Sequence, residues 1–576
     1  MQRHPTSLAA GEYDVLVVGG GAAGAAVARE AVLRGLSTAL IERDDFGGGT
    51  SAHCFKVVHG GIRYLQHLDV SRMRASCGER AALLTLAPHL VAPLPFAIPT
   101  YGHGRSGRWL LRTGMRLYDA LTADCNRTVA DESRRIGRTR FISPAELTAA
   151  FPQLPRPGLT GAAVFEDGQM YNPPRLVLAF IAAASELGAD VANYVEAERL
   201  LRAGDAVIGV QARDRLSEER FEIRARVVIN AAGPWAEGLL QDPATPERRG
   251  TYSRDACFVI GRAPASELAL AVQGRTRDHD ALLARSARHL FLVPWRDVTL
   301  VGVWHRVVPR DPDSVALSTQ ELAQYLGEIN AAHPGLNLEM REVRMAGFGL
   351  VPFGEAARQR EGELSFGKQS RLIDHRTHGL GGLVSALSVR YTVARRDAVA
   401  ALDMACAQLA KRVRPAEESA TRPLPGGDIA HFPRFVSELA DTAAQRVPAR
   451  TLHALARNYG TCARQVLALA ERDPSLRRTV ADSHVLRAEV AYAVRMEMAQ
   501  QLCDVLFRRT ELGTAGHPTA AAIDEVLELM RQECRWSAQR THTERQLAER
   551  HLARYLAAAA APVRARSTPA QVSSAG

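Results

Sequence analysis

The sequence has few of the features that mark secreted, metal-binding or membrane-spanning proteins. None of its eight cysteines forms a Cys-x-x-Cys pair or lies beside a cluster of histidines, which argues against a zinc site and a disulfide framework. No apolar run approaches the roughly 20 residues that a membrane-spanning helix needs, and the N-terminus shows no signal-peptide pattern. We therefore expect a cytoplasmic protein without a bound metal, whose contact with a membrane would be peripheral.

Lysine is also scarce, because nearly every basic residue of this chain is an arginine and the arginines are spread along its whole length. The formal net charge is +10. We interpret this charge mainly as a compositional bias, and the alternative is attraction to an anionic lipid or a phosphorylated substrate. We predict no nucleic-acid partner. The length of 576 residues and the 46% hydrophobic content are typical of a globular protein with roughly two or three domains.

A glycine-rich turn near the N-terminus carries the clearest functional motif. The segment VLVVGGGAAGAAVARE, residues 15–30, places Gly19, Gly21 and Gly24 as G-x-G-x-x-G between a predicted strand and a predicted helix. This arrangement lets the backbone approach a pyrophosphate at the positive end of the helix. Glu42 ends the next predicted strand, where its carboxylate accepts hydrogen bonds from ribose hydroxyls. The sequence therefore predicts a dinucleotide site.

A second strand followed by small residues favours FAD over NAD as the dinucleotide. The segment RVVINAAGPWAEGLL, residues 226–240, brings Ala232 and Gly233 to the end of an apolar strand. Such small residues let the strand end pass close to a ligand. Because this segment is far from the glycine turn in the chain, we predict a cofactor domain built from discontinuous segments.

The chain divides into regions of different secondary-structure pattern. Residues 12–421 mix strand and helix patterns, which predicts an α/β fold, and residues 429–558 carry only helical periodicity. The stretch RPLPGGD, residues 422–428, is predicted as a linker. We predict a flexible arm at residues 1–11 and a disordered tail at residues 559–576.

Four motifs together resemble the FAD-dependent glycerol-3-phosphate dehydrogenases, within the wider D-amino-acid-oxidase-like flavoproteins. They are VVGGGAAGAAVA, GGGTSAHCFKVVHGGIRYL, VVINAAGPWA and YAVRMEMAQQLCDVLFRRTELG. The resemblance covers about residues 12–558. It implies a Rossmann-type FAD-binding domain interleaved with a β-rich substrate domain, followed by an all-helical C-terminal domain.

The resemblance also implies an activity. The family oxidises a secondary alcohol, glycerol 3-phosphate to dihydroxyacetone phosphate, and passes the electrons from FAD to a quinone. The glycine-rich loop at residues 47–65 is expected to lie along the flavin, and three of its residues match family positions on the substrate side. The cofactor residues expected in this loop are Thr50, Ser51 and His53, and the substrate-side residues are His59, Arg63 and Tyr64.

The phosphate-binding positions depart from the family pattern. The family has an arginine where FGLVPF places Val351, whereas a second family arginine is kept as Arg371. Arg390 stands where the family has a lysine, and the two are not equivalent because the guanidinium is planar and larger. Trp304 and His305 replace small polar residues in or near the pocket.

Because of these departures, the sequence does not decide the identity of the substrate. Loss of one phosphate cation costs roughly ten- to a hundredfold in affinity, unless another group such as Arg306 replaces it. The alternatives are a different polyol phosphate, another hydroxy compound, an amine, or a flavin-binding protein that has lost catalysis. We expect His59 to accept the hydroxyl proton, with Arg63 beside it, and His305 is the alternative acceptor.

His53 supports two interpretations. In related sarcosine- and dimethylglycine-dehydrogenase-like enzymes, a histidine at the corresponding place carries the flavin through an 8α-histidyl bond. The alternative is a histidine that hydrogen-bonds the flavin or fills the space of the family's arginine.

The basic segment at residues 108–121 also supports two interpretations. Arg108, Trp109, Arg112 and Arg116 predict an amphipathic helix, which either lies on an anionic bilayer or packs on its own domain with a solvated basic face. The first would place the protein at the inner face of the cytoplasmic membrane.

Overall fold

The structure is a computed structural model of the 576-residue chain. It describes residues 1–65, 68–102, 108–240, 251–277, 287–308, 312–353, 370–410, 412–443 and 447–555. The segment 559–576, predicted as a disordered tail, and residues 556–558 of the predicted helical domain lie outside the described residues.

The strands fall almost entirely in the first 400 residues. In chain order they are β1 Glu12–Val18, β2 Thr38–Glu42, β3 Val57–Val58, β4 Val91–Tyr101, β5 Arg140–Ile142, β6 Leu159–Met170, β7 Asp190–Asn193, β8 Val195–Ala203, β9 Ala206–Asp214, β10 Arg220–Asn230, β11 Thr251–Ile260, β12 Ala269–Arg277, β13 Ala287–Trp295, β14 Val298–Val308, β15 Val343–Phe353, β16 Arg371–Asp374 and β17 Leu383–Leu387.

The helices occur throughout, and none in the described residues is both long and apolar enough to cross a membrane. In chain order they are α1 Pro5–Ala10, α2 Ala22–Leu33, α3 Gly49–Ala52, α4 Ile62–Leu65, α5 Val70–Leu86, α6 Arg108–Leu121, α7 Pro144–Ala150, α8 Pro173–Glu186, α9 Ala236–Leu240, α10 Thr319–Ala332, α11 Ala394–Cys406, α12 Phe432–Ala443, α13 Ala449–Tyr459, α14 Ala463–Arg472, α15 Arg487–Met496, α16 Leu502–Asp504, α17 Ala520–Cys534 and α18 Ala538–Tyr555.

The first sheet is the cofactor sheet that the sequence predicts. Its main strand order in the described residues is β16-β17-β10-β1-β2-β7, and β9 and β8 extend it from β10. β1 pairs in parallel with β2 and β10, and β10 pairs in parallel with β17. Because β1 lies between two strands and is buried from Tyr13 to Val18, its sequence is almost entirely apolar after Asp14. Helix α2 packs against both α8 and α11 beside this sheet.

The second sheet supplies the β-rich domain. Its order in the described residues is β15-β11-β14-β13-β12-β4-β6-β3, with β5 paired to β6. Nearly all of these pairings are antiparallel, including the hairpin of β13 and β14. Since strands of the two sheets alternate along the chain, the two domains are interleaved, as the resemblance implies.

Helices α12–α18 form the C-terminal domain around their own apolar core. Helices α13 and α14 are separated at Gly460, which has φ +53° and where a Cβ would lie 1.9 Å from the Gly426 carbonyl oxygen. Helix α15 ends at Met496, because Met498 adopts a left-handed conformation with φ 56°, and the chain becomes helical again at Leu502.

The first residues are packed, which corrects the prediction of a flexible arm at residues 1–11. They include helix α1, whose Leu8 is buried against the cofactor sheet. Arg3 forms an ion pair with Asp214 at 2.6 Å and donates a hydrogen bond to the Asn193 carbonyl at 2.9 Å. Residues 1–11 are thus held by the buried Leu8 and the ion pair of Arg3. A single leucine and a single arginine form no sequence pattern from which this packing could be predicted.

Candidate active site

One large cavity, with a volume of about 2810 Å³, lies where the two sheets meet. The glycine turn after β1, the end of β10 and the loop at residues 47–65 form one side of it. The floor is formed by the second sheet, where residues of β11, β14 and β15 line the cavity. The cavity therefore joins the predicted cofactor residues to the predicted substrate residues.

The glycine turn has no room for side chains. Gly19 has φ +110°, and a Cβ there would lie 2.7 Å from the Ala231 carbonyl oxygen. At Gly24 a Cβ would lie 1.8 Å from the carbonyl oxygen of Gly19. Gly21 is the N-cap of α2, and the Ala22 N–H at the start of that helix donates to the Ser51 hydroxyl at 3.0 Å. This helix N-terminus opens into the cavity, as a pyrophosphate site requires.

Glu42 lies at the cavity wall beside the glycine turn. Its carboxylate accepts hydrogen bonds from the Gly20 N–H at 2.6 Å and from the Asp44 N–H at 2.9 Å. Burial, together with the nearby Asp44 carboxylate, raises the pKa of Glu42 to about 7. Ala232 and Gly233 line the same cavity at the end of β10. Glu42, Ala232 and Gly233 suit the adenosine half of a dinucleotide.

Thr50 lines the cavity but uses its hydroxyl to hold the loop in place. The hydroxyl donates to the Leu350 carbonyl at 2.8 Å and accepts from the Leu350 N–H at 3.0 Å. A Cβ at Gly349 would lie 2.8 Å from the Thr50 methyl carbon. Thr50 therefore fastens the loop at residues 47–65 to strand β15, and this contact fixes where a flavin ring could lie.

His53 is enclosed between the loop and the C-terminal helix. Its ring stacks on Tyr555 with a centroid distance of 3.9 Å and an interplanar angle of 16°. Its Nδ1 is buried without a hydrogen-bond partner in the described residues. Burial and the nearby His551 and Lys56 lower the pKa of His53 well below its usual value, so the imidazole is neutral. A covalent flavin bond at His53 stays a prediction.

These features together fit FAD. The side-chain-free glycine turn, the open helix terminus, the carboxylate of Glu42 and the unpartnered buried nitrogen of His53 line one continuous cavity. A dinucleotide bound there would extend from the end of β2 to the loop at residues 47–65.

His59 lines the cavity, and a carboxylate on the other side of its ring fixes the orientation of the imidazole. Its Nδ1 lies 3.2 Å from an oxygen of Asp167, which leaves Nε2 available toward the cavity. The other oxygen of Asp167 accepts from the Gly60 N–H and from Arg80, both at 2.6 Å. Burial alone would raise the pKa of Asp167, but the hydrogen bond to His59 and the charge of Arg80 hold it below its usual value. Asp167 is therefore a carboxylate that orients His59.

Tyr64 and Arg390 form a second group at the cavity wall. The Arg390 guanidinium donates to the Tyr64 hydroxyl and lies 5.2 Å from the centre of the Tyr64 ring. Next to it, Ser388 donates to Asp397 at 2.6 Å, which fixes the turn before Arg390. The Arg63 side chain, predicted beside this group, lies outside the described residues.

His305 and Asp255 occupy the floor. They are cross-strand neighbours on β14 and β11, and the His305 Nδ1 lies 2.8 Å from the Asp255 carboxylate. Val303 and Val351 line the floor beside them. The place where the resemblance expects a phosphate cation therefore carries an apolar residue, next to a histidine that is already paired with a carboxylate.

Comparisons with known proteins agree with this geometry. Residues 14–396 match the family described as FAD dependent oxidoreductase, and residues 418–541 match the C-terminal domain of alpha-glycerophosphate oxidase. The glycerol-3-phosphate dehydrogenase of Synechocystis sp. is 30% identical over 91% of this chain and 93% of its own length. The mitochondrial glycerol-3-phosphate dehydrogenase of Mus musculus is 30% identical over 94% of this chain and 73% of its own length.

The chain belongs to the FAD-dependent glycerol-3-phosphate dehydrogenase family. A solved structure of the glycerol-3-phosphate dehydrogenase from Bacillus halodurans complexed with FAD shows the same fold, with a TM-score of 0.73 and 23% identity over 95% of this chain and 96% of that one. The protein is thus an FAD-dependent oxidoreductase.

Two residues predicted near the substrate of this family member lie elsewhere. Trp304 is buried in the core on the opposite face of the second sheet, stacked on Tyr325 at 4.7 Å, and its indole N–H donates to Glu328 at 2.9 Å. Because successive strand residues alternate between faces, the cavity receives Val303 and His305 instead. Arg306 also turns away and pairs with Glu321, so it does not replace the missing cation.

The position of Arg371 also differs from the expectation. It opens strand β16 at the edge of the cofactor sheet, opposite Leu387, and the described residues that line the cavity do not include it. Arg390 is therefore the predicted phosphate ligand that the structure brings to the cavity.

The sequence did not point to three residues of the site. Asp167 and Asp255 lie within strands, where a single carboxylate gives no local signal until the pairing with His59 or His305 is known. Tyr555 comes from the far end of the chain, and only the docking of α18 brings it to His53.

Proposed function

We propose that this protein oxidises glycerol 3-phosphate to dihydroxyacetone phosphate and passes the electrons to a quinone. The observation that carries the proposal is His59, oriented by Asp167 and facing the cavity beside Arg390. The relatives named as glycerol-3-phosphate dehydrogenases support the choice of substrate.

The chain supplies the proton acceptor for this oxidation. FAD, when bound, accepts the hydride that leaves the carbinol carbon of the substrate. His59 holds its Nδ1 against Asp167, so the tautomer that donates there presents an unprotonated Nε2 to the substrate hydroxyl. The imidazolium formed when Nε2 takes the proton is stabilised by the Asp167 carboxylate.

Arg390 is the proposed ligand of the substrate phosphate. Its contact with Tyr64 holds the guanidinium at the cavity wall, and a guanidinium binds phosphate oxygens with two parallel hydrogen bonds. The pair of His305 and Asp255 adds little net positive charge, because a carboxylate oxygen of Asp255 lies 2.8 Å from the His305 Nδ1. We therefore expect weaker phosphate binding than a pocket with a second arginine at position 351 would give.

A second candidate is an uncharged hydroxy compound. Val351 favours it, since this residue provides no positive charge for a phosphate. Flavin reduction by glycerol 3-phosphate should depend on Arg390, whereas flavin reduction by an uncharged hydroxy compound should not.

Anaerobic mixing of the FAD-loaded protein with glycerol 3-phosphate tests the proposal. We expect rapid loss of flavin absorbance with glycerol 3-phosphate and slow change with glycerol or sarcosine. In Arg390→Met the concentration needed for half-maximal reduction should rise roughly ten- to a hundredfold, as expected for one lost charged hydrogen bond.

Arg371→Met is the matched control, because that arginine lies at the edge of the cofactor sheet, and its half-maximal concentration should change less than threefold. Faster reduction by glycerol or sarcosine than by glycerol 3-phosphate would overturn the phosphate assignment.

We also propose that the protein docks on the inner face of the cytoplasmic membrane, where a quinone is available. Trp109 on α6 is 72% exposed, and Leu117 on α6, Val70 at the start of α5 and Leu68 just before α5 are also exposed. Arg116 is exposed on the same side of α6 as Leu117. Exposed apolar side chains beside arginines complement an anionic lipid surface.

Flotation with vesicles of anionic and of neutral lipid checks this docking. We expect the protein to float with anionic vesicles at low salt, and the double variant Trp109→Ala, Leu117→Ala to lose at least half of the bound fraction. Met496→Ala removes another exposed apolar side chain and should bind as the unchanged protein does. Equal flotation of the double variant and the Met496 variant would contradict the docking surface.

A further inference from the structure

A buried arginine shares the carboxylate that orients His59. Arg80, on α5, is 1% exposed, and one of its guanidinium nitrogens donates to an oxygen of Asp167 at 2.6 Å. The other oxygen of Asp167 lies 3.2 Å from the His59 Nδ1. The described residues that line the cavity do not include Arg80, and the Asp167 carboxylate lies between it and His59.

Arg80 is held firmly in this position. The nitrogen that binds Asp167 also donates to the Glu166 carbonyl at 3.0 Å and lies 3.5 Å from the Tyr118 hydroxyl. The Asp167 oxygen that it binds accepts the Gly60 N–H at 2.6 Å as well. The backbone next to His59 and the buried cation are therefore fixed by the same carboxylate oxygen.

The other titratable groups around Asp167, apart from His59, supply no positive charge. Cys77 on α5 and Tyr118 on α6 are a thiol and a phenol, and burial raises the pKa of the Tyr118 hydroxyl. The carboxylate of Glu166, the preceding residue of β6, binds a backbone N–H of a neighbouring loop at 2.6 Å. Among the described residues, Arg80 is thus the arginine that forms an ion pair with Asp167.

We propose that Arg80 is a positioning residue that keeps Asp167 ionised and thereby sets the lowest pH at which His59 accepts a proton. Without this cation, one more negative charge beside the His59 ring is left uncompensated. The ring then holds a proton up to a higher pH, and a protonated ring cannot take the hydroxyl proton of the substrate. This inference rests on the proposed function, in which His59 is the proton acceptor.

The size of the effect follows from the charge. Asp167 and His59 share a hydrogen bond, so they titrate as a coupled pair. An elementary charge on the far side of one carboxylate, at an effective dielectric constant of about 20, shifts such a titration by roughly one to two pH units. The charge of Arg80 therefore extends the active range of the enzyme toward lower pH.

The pH dependence of flavin reduction in the FAD-loaded protein tests this role. In Arg80→Met, the pH of half-maximal rate should rise by about one pH unit or more, so the rate falls most below neutral pH and recovers toward pH 9. Arg80→Lys keeps the charge but not the planar guanidinium. Its rate should fall by a similar factor at every pH, with the pH of half-maximal rate shifted by less than about 0.3 units.

Arg29→Met is the matched control. Arg29, on α2, is 2% exposed, but its guanidinium donates to the backbone carbonyls of Ser419 and Arg422, at 2.8 and 2.7 Å. Its loss should lower the stability of the protein and leave the pH of half-maximal rate unchanged. A rate of Arg80→Met that is reduced equally at every pH would give Arg80 a packing role only and overturn the inference.

A double variant covers the case in which Arg80→Met fails to fold because Asp167 is left without its cation. Arg80→Met combined with Asp167→Asn removes both members of the ion pair, so neither charge is buried alone. Compared with Asp167→Asn, the double variant lacks only the charge of Arg80. Its pH of half-maximal rate should therefore be higher by about one unit, and equal values would contradict the role of that charge.

Labelling of His59 with diethyl pyrocarbonate in the FAD-loaded protein follows the same titration without a substrate. The reagent acylates the unprotonated imidazole, and the His59 side chain is 53% exposed. Peptide mass spectrometry across the pH range should show the midpoint of labelling shifted upward in Arg80→Met. An unshifted midpoint would overturn the inference whether or not glycerol 3-phosphate reduces the flavin. A shifted midpoint without flavin reduction by glycerol 3-phosphate would support the effect of Arg80 on His59 and refute the proposed function alone.

Discussion

His59→Gln should lower the rate of flavin reduction by glycerol 3-phosphate about 10²- to 10⁴-fold, the usual contribution of a positioned general base. Glutamine keeps a polar side chain in the loop but cannot accept the hydroxyl proton. The hydrogen bond to Asp167 and the cavity wall are otherwise preserved. Anaerobic rapid mixing measures the rate, and the flavin spectrum shows whether FAD is still bound.

His305→Gln is the matched control, because it changes the other cavity histidine, which is paired with Asp255. We expect a change of less than tenfold in the same rate. The rate of flavin reduction in Asp167→Asn should lie between the rates of the two histidine variants. In this variant the His59 ring keeps a hydrogen-bond partner, but the imidazolium loses its counter-charge. The reverse order, with His305→Gln far slower than His59→Gln, would assign proton transfer to His305.

The cofactor half of the site could be predicted because its requirements are local. Close backbone approach demands glycine at positions 19 and 24, and both are read directly from a strand-turn-helix pattern. The helical C-terminal domain was also predictable from its periodicity, although the break at Gly460 was not. There the glycine is required by contact with Gly426, a residue from a different part of the chain.

The substrate half could not be predicted to the same degree, because it depends on strand register. Trp304 and His305 are adjacent in sequence, yet one lies in the core and the other in the cavity. A shift of one residue would exchange them. The resemblance placed both residues in or near the pocket but gave no information about which face of β14 each occupies. The same holds for Arg371. The resemblance identified its segment, but it gave no information about where the side chain lies relative to the cavity.

Asp45 holds the C-terminal domain against the cofactor sheet. It is fully buried and follows β2, where one of its oxygens accepts from Arg508 at 2.6 Å and from Arg509 at 2.7 Å. The second Arg509 nitrogen donates to the other oxygen at 2.8 Å. Both arginines come from the short π-helical turn that follows α16. Asp45 thus pairs with two buried cations from the other domain, and one of them, Arg508, also pairs with Asp504 at 2.5 Å.

The charge of Asp45 makes this contact dependent on pH. Burial alone would raise the pKa of Asp45, but Arg509 and Arg508 lower it to about 2. A carboxyl whose pKa is lower in the folded protein than in the unfolded chain stabilises the fold at neutral pH. This contribution is lost as the pH falls from about 4 toward 2.

Asp45→Ala should lower the free energy of unfolding by about 3–5 kcal/mol, the usual cost of leaving a buried charge without its partner. We expect a large fall in the melting temperature at pH 7 and weaker retention of FAD, because Arg508 also lines the cavity. Asp44→Ala removes the adjacent, exposed carboxylate, whose ion pairs are with Arg215 and Arg43, and should cost less than about 1 kcal/mol. Denaturant unfolding of both variants at pH 7 makes the comparison, and equal stability of the two would show that the buried pairs do not hold the domains together.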